Sequence, residues 1–245
     1  MEKERIQKIL SRSGYGSRRD CEKIIADGRV SLNGQNVKLG DKADANTDVI
    51  RVDNKIVSFS EPEPVFIAFY KPRKVLSEIK KLDDRKVITD YVPSGDYYFI
   101  VGRLDFDSEG LILLTNDGKI ANILTHPSYE HEKEYHVQVS RTPDLEQLTI
   151  WRQGVVLEDG YRTIASKVEF IPQDKTRKWL KIILKEGKKR QIREVGISIG
   201  LPVKRIIRKR IGPIEVGSLT AGEWRRLSSQ EILSLKKLQA KKRIN

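Results

Sequence analysis

The sequence predicts an α+β protein with two domains, a small one over residues 1–60 and a larger one over residues 61–245. Three observations support this organisation. The small domain contains two helical patterns and a hairpin signal, whereas the larger one contains many strand-sized apolar runs. The segment "SFSEPEPV" at 58–65 has alternating prolines and no periodicity, which is typical of a linker. Strand patterns do not alternate regularly with helical ones, so the sheet is expected to be mixed or antiparallel.

In the small domain we expect two helices followed by a tight hairpin. "SGYG" at 13–16 ends the first helix, and "SRRD" starts the second with a capping pattern led by Ser17. The dipeptide Asn33-Gly34 adopts positive φ at little cost, which predicts a tight turn between two short strands. The apolar residues of the two helices are spaced for one buried face each: Ile6, Ile9 and Leu10 in the first, and Cys21, Ile24 and Ile25 in the second.

The larger domain is expected to contain a sheet with two interrupting helices. One helix lies in "TPDLEQLTIWRQG", with Thr142 as its cap, Pro143 at its first position and Gly154 at its end. The other lies in "RQIREVGISIG", where the apolar residues form a helical stripe. Six runs have the length and composition of strands: "VFIAFY", "YYFIV", "LILLT", "EYHVQV", "SKVEFI" and "WLKIIL".

Composition limits the partners of this protein. The formal net charge of +13 and the pI near 9.7 indicate a polyanionic partner. Nucleic acid is favoured over membrane, because no stretch approaches the roughly 18 apolar residues of a spanning helix. The charged N-terminus does not resemble a signal peptide, and Cys21 is the only cysteine, so we expect a cytoplasmic protein without disulfides.

The acidic loop "GRLDFDSEG" at 102–110 has three interpretations. Its spacing resembles the start of a calcium-binding loop, but Glu109 stands where that loop has Asp or Asn, and Leu113 offers no side-chain oxygen. Asn116 stands where a bidentate glutamate is required. A solvated turn with a surface pair between Arg103 and Asp105 is a second interpretation, and spacing alone favours it over catalysis. The third is a catalytic carboxylate. The three histidines show no metal-binding spacing, and no nucleophile elbow is present.

Five stretches in order resemble bacterial ribosomal-RNA pseudouridine synthases of the RsuA type. The N-terminal sixty residues are similar to the RNA-binding domain shared with ribosomal protein S-four. The resemblance implies a small αL RNA-binding domain followed by a pseudouridine synthase catalytic domain with a basic C-terminal tail. The stretches that carry it are "FYKPRKV", "GRLDFDSEGLILLTNDG", "HPSYEHEKEYHVQV", "EGKKRQIR" and "KRIIRKRIGPIEVGSLTAGEWRRL".

The resemblance also implies roles for individual residues. Asp105 matches the catalytic aspartate, and Tyr135 matches the tyrosine that stacks on the target base and is proposed to act as a base. Lys188 matches a basic residue that pairs with the aspartate, and Arg103 is expected to hold the loop. No cofactor or metal is implied. Further basic residues are expected to bind RNA phosphates: Arg12, Arg18, Arg19, Lys189, Arg190 and Arg193.

The expected function is therefore conversion of specific uridines in ribosomal RNA to pseudouridine. The stretch "RIGPIEVGSLTAGEWRRL" favours the large subunit. The partner would be ribosomal RNA or a ribosome assembly intermediate, bound by a monomer without membrane contact. A non-catalytic RNA-binding assembly factor on the same scaffold is the alternative. A metal-dependent nuclease lacks a convincing ligand cluster in the sequence.

Overall fold

The computed structural model of the chain describes residues 3–58, 63–93 and 98–241. The chain divides into two compact units, Met1–Pro64 and Val65–Asn245. Four positions of the expected linker, 59–62, lie outside the described residues. Among the helices within the described ranges, none is long and apolar enough to cross a membrane.

The first unit contains both expected helices, α1 (Ile6–Arg12) and α2 (Arg18–Ala26). Ser17 caps α2 as predicted: its hydroxyl accepts from the Asp20 amide at 3.1 Å, and the Asp20 carboxylate accepts from the Ser17 amide at 3.0 Å. Asn33 and Gly34 have φ of 50° and 86°, which confirms the tight hairpin turn. The strands are β1 (Glu4–Arg5), β2 (Val30–Leu32), β3 (Gln35–Asn36), β4 (Lys42–Ala43), β5 (Ile50–Val52) and β6 (Lys55–Ile56).

The second unit is built on one nine-stranded sheet, and each of the six expected runs contains a strand. The main strand order is β11-β12-β10-β13-β9-β7-β15, with β8 paired to β9 and β14 to β13. Among the strand pairs of this sheet in the described residues, β13–β9 alone is parallel, so the sheet is mixed, as expected. The strands are β7 (Phe66–Lys71), β8 (Phe99–Val101), β9 (Glu109–Thr115), β10 (Lys133–Val139), β11 (Lys167–Phe170), β12 (Trp179–Leu184), β13 (Val203–Ile211), β14 (Ile214–Glu215) and β15 (Trp224–Arg226).

Strand β13 is the main element that the sequence patterns did not predict. Its segment contains five Lys or Arg residues among nine, so it was interpreted only as a basic run. In the structure β13 occupies the middle of the sheet, between β10 and β9. Position 208 is buried there despite its charge. Strong charge conceals the alternation that identifies a strand, because a basic side chain is expected to face water.

Helices cover both faces of this sheet. Apolar residues of α4 (Leu145–Gln153) and α5 (Gln191–Ser198) belong to the core on one face, and those of α3 (Gly118–Thr125) and α6 (Ser229–Lys241) to the core on the other. Strand β7 contributes Phe69 to the first core and Tyr70 to the second. A strand buried on both faces has a continuous apolar sequence, which explains "VFIAFY".

The start of α4 differs from the expectation. Asp144, not Thr142, is its N-cap, and Pro143 precedes the helix. The Asp144 carboxylate accepts from the Gln147 amide at 2.8 Å, and the Asp144 amide donates to the Gln147 side chain at 3.2 Å. This reciprocal pair satisfies two free helix-end groups, so it determines the starting residue. Gly154 ends α4 with φ of 85°, as expected.

Candidate active site

The acidic loop connects β8 to β9 and is held by hydrogen bonds to its backbone. Ser77 binds Leu104 twice: its hydroxyl donates to the Leu104 carbonyl at 2.7 Å and accepts from the Leu104 amide at 3.0 Å. The Ser108 amide donates to the Asp105 carbonyl at 3.0 Å and closes a turn. The backbone on both sides of Asp105 is thus fixed, and the direction of its side chain follows from that backbone.

The three acids of the loop have different surroundings. Asp107 forms an ion pair with Lys74 at 2.8 Å. The buried Glu109 accepts from Arg205 at 2.5 Å. In the described part of the chain the half-buried Asp105 carboxylate accepts no hydrogen bond and forms no ion pair. This arrangement fits neither a calcium loop, whose acids converge on one ion, nor the surface pair between Arg103 and Asp105.

Two cations act electrostatically on Asp105. Lys71 is fully buried, and its ammonium donates to the carbonyls of Pro72 at 2.9 Å and Val75 at 2.8 Å. Burial lowers the pKa of Lys71 to about 8, although the negative charges of Asp105 and Glu109 oppose that shift.

The second cation is Arg193, a half-buried residue of α5. Burial lowers the pKa of Arg193, and the charge of Asp105 opposes this shift. Its Nη2 lies 3.5 Å from both the Asp107 carbonyl and the Ser108 hydroxyl, so the guanidinium faces the loop. Helix α5 places the apolar Ile192 in the core and turns the next residue toward the loop.

Tyr135 lies in β10 and is 8% exposed. It belongs to the same apolar core as Leu104, the residue before Asp105. On the neighbouring strand, Arg208 is its cross-strand partner. The tyrosine and the acidic loop are therefore brought to the same face of the sheet, and Arg208 lies between them, hydrogen-bonded to the backbone of the loop.

Lys188 has a different partner from the one expected. Its ammonium lies 2.6 Å from an Asp159 carboxylate oxygen and 3.8 Å from the centre of the Tyr161 ring. The structure therefore pairs Lys188 with Asp159 instead of Asp105. The reason is its position in the turn before α5, three residues ahead of the helix start, while Arg193 follows within the first turn.

The other basic residues are divided between the two units. In the second unit, Arg103, Lys189 and Arg190 have exposed side chains. In the first unit, Arg18 and Arg19 are exposed at the start of α2. Arg12 forms a 2.6 Å ion pair with Glu4, so part of its charge is already balanced.

Lys71, Ser77 and Arg208 are contacts of the loop that the sequence patterns did not single out. Lys71 is part of the "FYKPRKV" stretch. The available signal was that this lysine directly follows the apolar run "VFIAFY". Arg208 was hidden in the basic segment of β13. Ser77 offers no pattern signal, because serine is common in loops.

Family comparisons cover parts of both units. Residues 65–195 match the RNA pseudouridylate synthase family, and residues 4–49 match the S4 domain. The chain belongs to the RNA pseudouridylate synthase family and has an S4 domain in its first unit. The resemblance identified from the motifs is confirmed.

Relatives match over nearly the whole chain. A ribosomal large subunit pseudouridine synthase B from Haemophilus influenzae is 36% identical over 97% of this chain and 68% of its own. The protein of that name from Escherichia coli K12 is 36% identical over 96% of this chain and 83% of its own. An uncharacterized RNA pseudouridine synthase from Aquifex aeolicus is 37% identical, with 94% and 93% covered.

A solved structure described as a pseudouridylate synthase has the same fold. It is 26% identical, has a TM-score of 0.67, and covers 94% of this chain and 99% of its own. These comparisons support an enzyme and give no support to the non-catalytic assembly factor.

Proposed function

We propose that this protein converts specific uridines of ribosomal RNA, in the large subunit, to pseudouridine, with Asp105 as the catalytic carboxylate. The observation that carries the proposal is the environment of Asp105, a half-buried carboxylate without a hydrogen-bond partner in the described residues, facing Lys71 and Arg193. The names of the relatives that match most of the chain support ribosomal RNA of the large subunit as the substrate.

The reaction is an isomerisation that needs an anionic oxygen. The bond between uracil N1 and ribose C1′ breaks, the uracil rotates, and C5 bonds to C1′ while the C5 proton is lost and N1 gains one. No electrons are exchanged, so the atoms balance without an oxidant or a reductant. A carboxylate can act as nucleophile or base while the detached uracil stays in the pocket.

Asp105 has to remain ionised in a pocket closed by RNA. Burial favours the neutral carboxylic acid, and a nearby cation favours the carboxylate. Lys71 and Arg193 supply that opposing charge. In this proposal Arg193 takes the role that the motif comparison gave to Lys188, because Lys188 is engaged with Asp159.

The target uridine has to leave its stack to reach Asp105. Extrusion of a base costs a few kcal/mol, and an aromatic ring in the pocket offsets part of that cost. Tyr135 provides a ring on the same face of the sheet as the loop. The exposed Arg103, Lys189 and Arg190 would bind the phosphates around it.

The S4 domain would provide a second contact with RNA through Arg12, Arg18 and Arg19. Two linked binding modules raise the effective affinity of each other for one RNA. We further propose that the first unit binds RNA and the second performs the isomerisation, and that the protein acts as a monomer in the cytoplasm on ribosomal RNA or an assembly intermediate.

The test is pseudouridine formation in ribosomal RNA by variants of Asp105, Arg193 and Lys188. Asp105→Asn should abolish formation and keep RNA affinity within about three-fold, because the amide is isosteric but not anionic. Arg193→Met should slow turnover by at least about 100-fold. Lys188→Met is the matched control and should slow it by less than about five-fold. Turnover by Asp105→Asn, or equal losses in Arg193→Met and Lys188→Met, would contradict the assignment.

A further inference from the structure

Arg208 is the largest fully buried side chain of the described residues, with 1% of its surface exposed. Its guanidinium donates three hydrogen bonds to backbone carbonyls. Nε donates to Leu111 at 2.7 Å, Nη2 to Gly102 at 2.6 Å, and Nη1 to Arg103 at 3.3 Å. Two of these carbonyls lie at the start of the acidic loop and one directly follows its end, so one side chain connects both ends of the loop.

The strand pairing places Arg208 between the loop and the tyrosine. Strand β13 lies between β10 and β9, where Arg208 is paired in register with Tyr135 on one side and with Gly110 on the other. At Gly102 a Cβ atom would lie only 3.3 Å from Nη1 of Arg208. The loop therefore approaches the guanidinium closely at a residue that has no side chain.

The charge of Arg208 is not balanced by a carboxylate. Among the described residues, Arg208 takes part in no ion pair, and burial lowers its pKa, a shift that its cross-strand partner Tyr135 opposes. A buried guanidinium without a carboxylate is costly to fold around. The three hydrogen bonds to backbone carbonyls offset part of this cost, so the role of the arginine is tied to the loop that it holds.

We propose that Arg208 is a positioning residue for the isomerisation, which holds the Gly102–Arg103 backbone ahead of Asp105 and orients the hydroxyl of Tyr135. This inference rests on the proposed function, because it assigns Arg208 to the same reaction. Arg208 does not touch the substrate in this account, and it acts through the two groups that do.

The orientation of Tyr135 follows from the donor chemistry of arginine. A guanidinium has five N–H donors and no acceptor. In this proposal Arg208 donates to the oxygen of Tyr135, its cross-strand partner, so the hydroxyl proton would point away from Arg208. A lysine would keep the charge, but it lacks the planar fork that reaches several carbonyls and the phenol together.

The experiment measures single-turnover pseudouridine formation by Arg208→Lys, with and without Tyr135→Phe. Arg208→Lys should lower the rate at saturating RNA by at least about 30-fold and change RNA affinity by less than about three-fold. In the Tyr135→Phe background, the same substitution should cost less than about five-fold, because the hydroxyl that it orients is absent. If the rate losses of Arg208→Lys and Tyr135→Phe simply multiply in the double variant, the inference is overturned. An unchanged rate in Arg208→Lys alone would overturn it as well.

Two further variants separate positioning from folding. Gly102→Ala leaves Arg208 in place and presses a methyl group against Nη1, so the rate should fall by about ten-fold without a change in affinity. This variant answers the question if Arg208→Lys does not fold, and an unchanged rate would overturn the inference. Val168→Ala, in a buried position of β11, is the control for general destabilisation, and its rate should equal that of the wild type.

The same measurements distinguish a failure of this inference from a failure of the proposed function. An active wild type with an inactive Asp105→Asn variant upholds the function. With that result in hand, a fully active Arg208→Lys variant contradicts the role of Arg208 alone.

Discussion

Gly110→Ala should destabilise the second unit far more than an ordinary glycine substitution. Gly110 is the second residue of β9, at the parallel contact with β13, and its φ is 106°. A Cβ atom there would lie 2.3 Å from the Arg208 carbonyl oxygen and 2.6 Å from the Arg208 nitrogen. Because both atoms are backbone, no side-chain rotation relieves the overlap.

The size of the effect follows from these distances. Strands β9 and β13 have to separate by about 0.7 Å before the 2.3 Å contact reaches 3.0 Å. Overpacking of this kind costs about 2 kcal/mol, and positive φ in a residue with a Cβ adds about 1 kcal/mol. We expect a loss of about 3 kcal/mol in the free energy of unfolding, and a fall of about 10 °C in Tm.

Gly217→Ala is the matched control. Gly217 also has positive φ, 61°, but its Cβ would meet nothing within 4 Å, so only the backbone strain of about 1 kcal/mol remains. Urea unfolding followed by tryptophan fluorescence is suited to the comparison. All three tryptophans, Trp151, Trp179 and Trp224, lie in the second unit, so the signal reports on that unit alone. Equal losses in the two variants would refute the close approach of β9 and β13.

Two other predictions concern pH and salt. As pH rises through about 8, Lys71 loses its charge, so turnover should fall with an apparent pKa near 8. The pKa of Lys71 in the folded protein is below the ordinary lysine value of 10.5, so the unfolded chain holds more protons above pH 8. The contribution of Lys71 to stability should therefore rise above pH 8 while turnover falls. A rate profile with a flat alkaline side would contradict this role, and Lys71→Met should remove the alkaline limb. Replacing the exposed Arg18 and Arg19 with alanine should weaken RNA binding. The slope of log affinity against log salt concentration should decrease in magnitude by about 1 to 2. Arg29→Ala removes a guanidinium already paired with Asp53 and should leave the slope unchanged, and identical slopes in all three proteins would exclude phosphate contacts by Arg18 and Arg19.

Local patterns predicted much of the fold because they depend on neighbours in sequence. The cap at Ser17 and the turn at Asn33-Gly34 require only a few adjacent residues, and both are confirmed. The predicted start of α4 was wrong by a short distance along the chain. Thr142 and Asp144 are both residue types that cap helices well, and the reciprocal hydrogen bonds with Gln147 make Asp144 the cap. Strand β13 was missed, because its burial comes from strands distant in sequence.

The candidate site was also predictable where it depends on neighbours in sequence, and not where it depends on residues distant in sequence. The acidic loop and Tyr135 were identifiable from motifs, since each motif is a short run of residues. The cation for Asp105 was not, because Lys188 and Arg193 lie in one basic stretch, and only the rotation of α5 determines which faces the loop. The positions of Lys71 and Arg208 in the site could not be predicted from the sequence, because both depend on the strands that pair with β7 and β13 in the sheet.

The sequence by itself determined the two-domain α+β organisation, the basic character that indicates RNA, and the motifs of a pseudouridine synthase. Tertiary structure decided which charges surround Asp105 and which arginine connects the loop to Tyr135. The physical reason is the range of the interactions. Hydrophobic period, caps and turns act over a few residues, whereas burial and Coulomb energy depend on groups about 100 positions apart that meet only when the sheet forms.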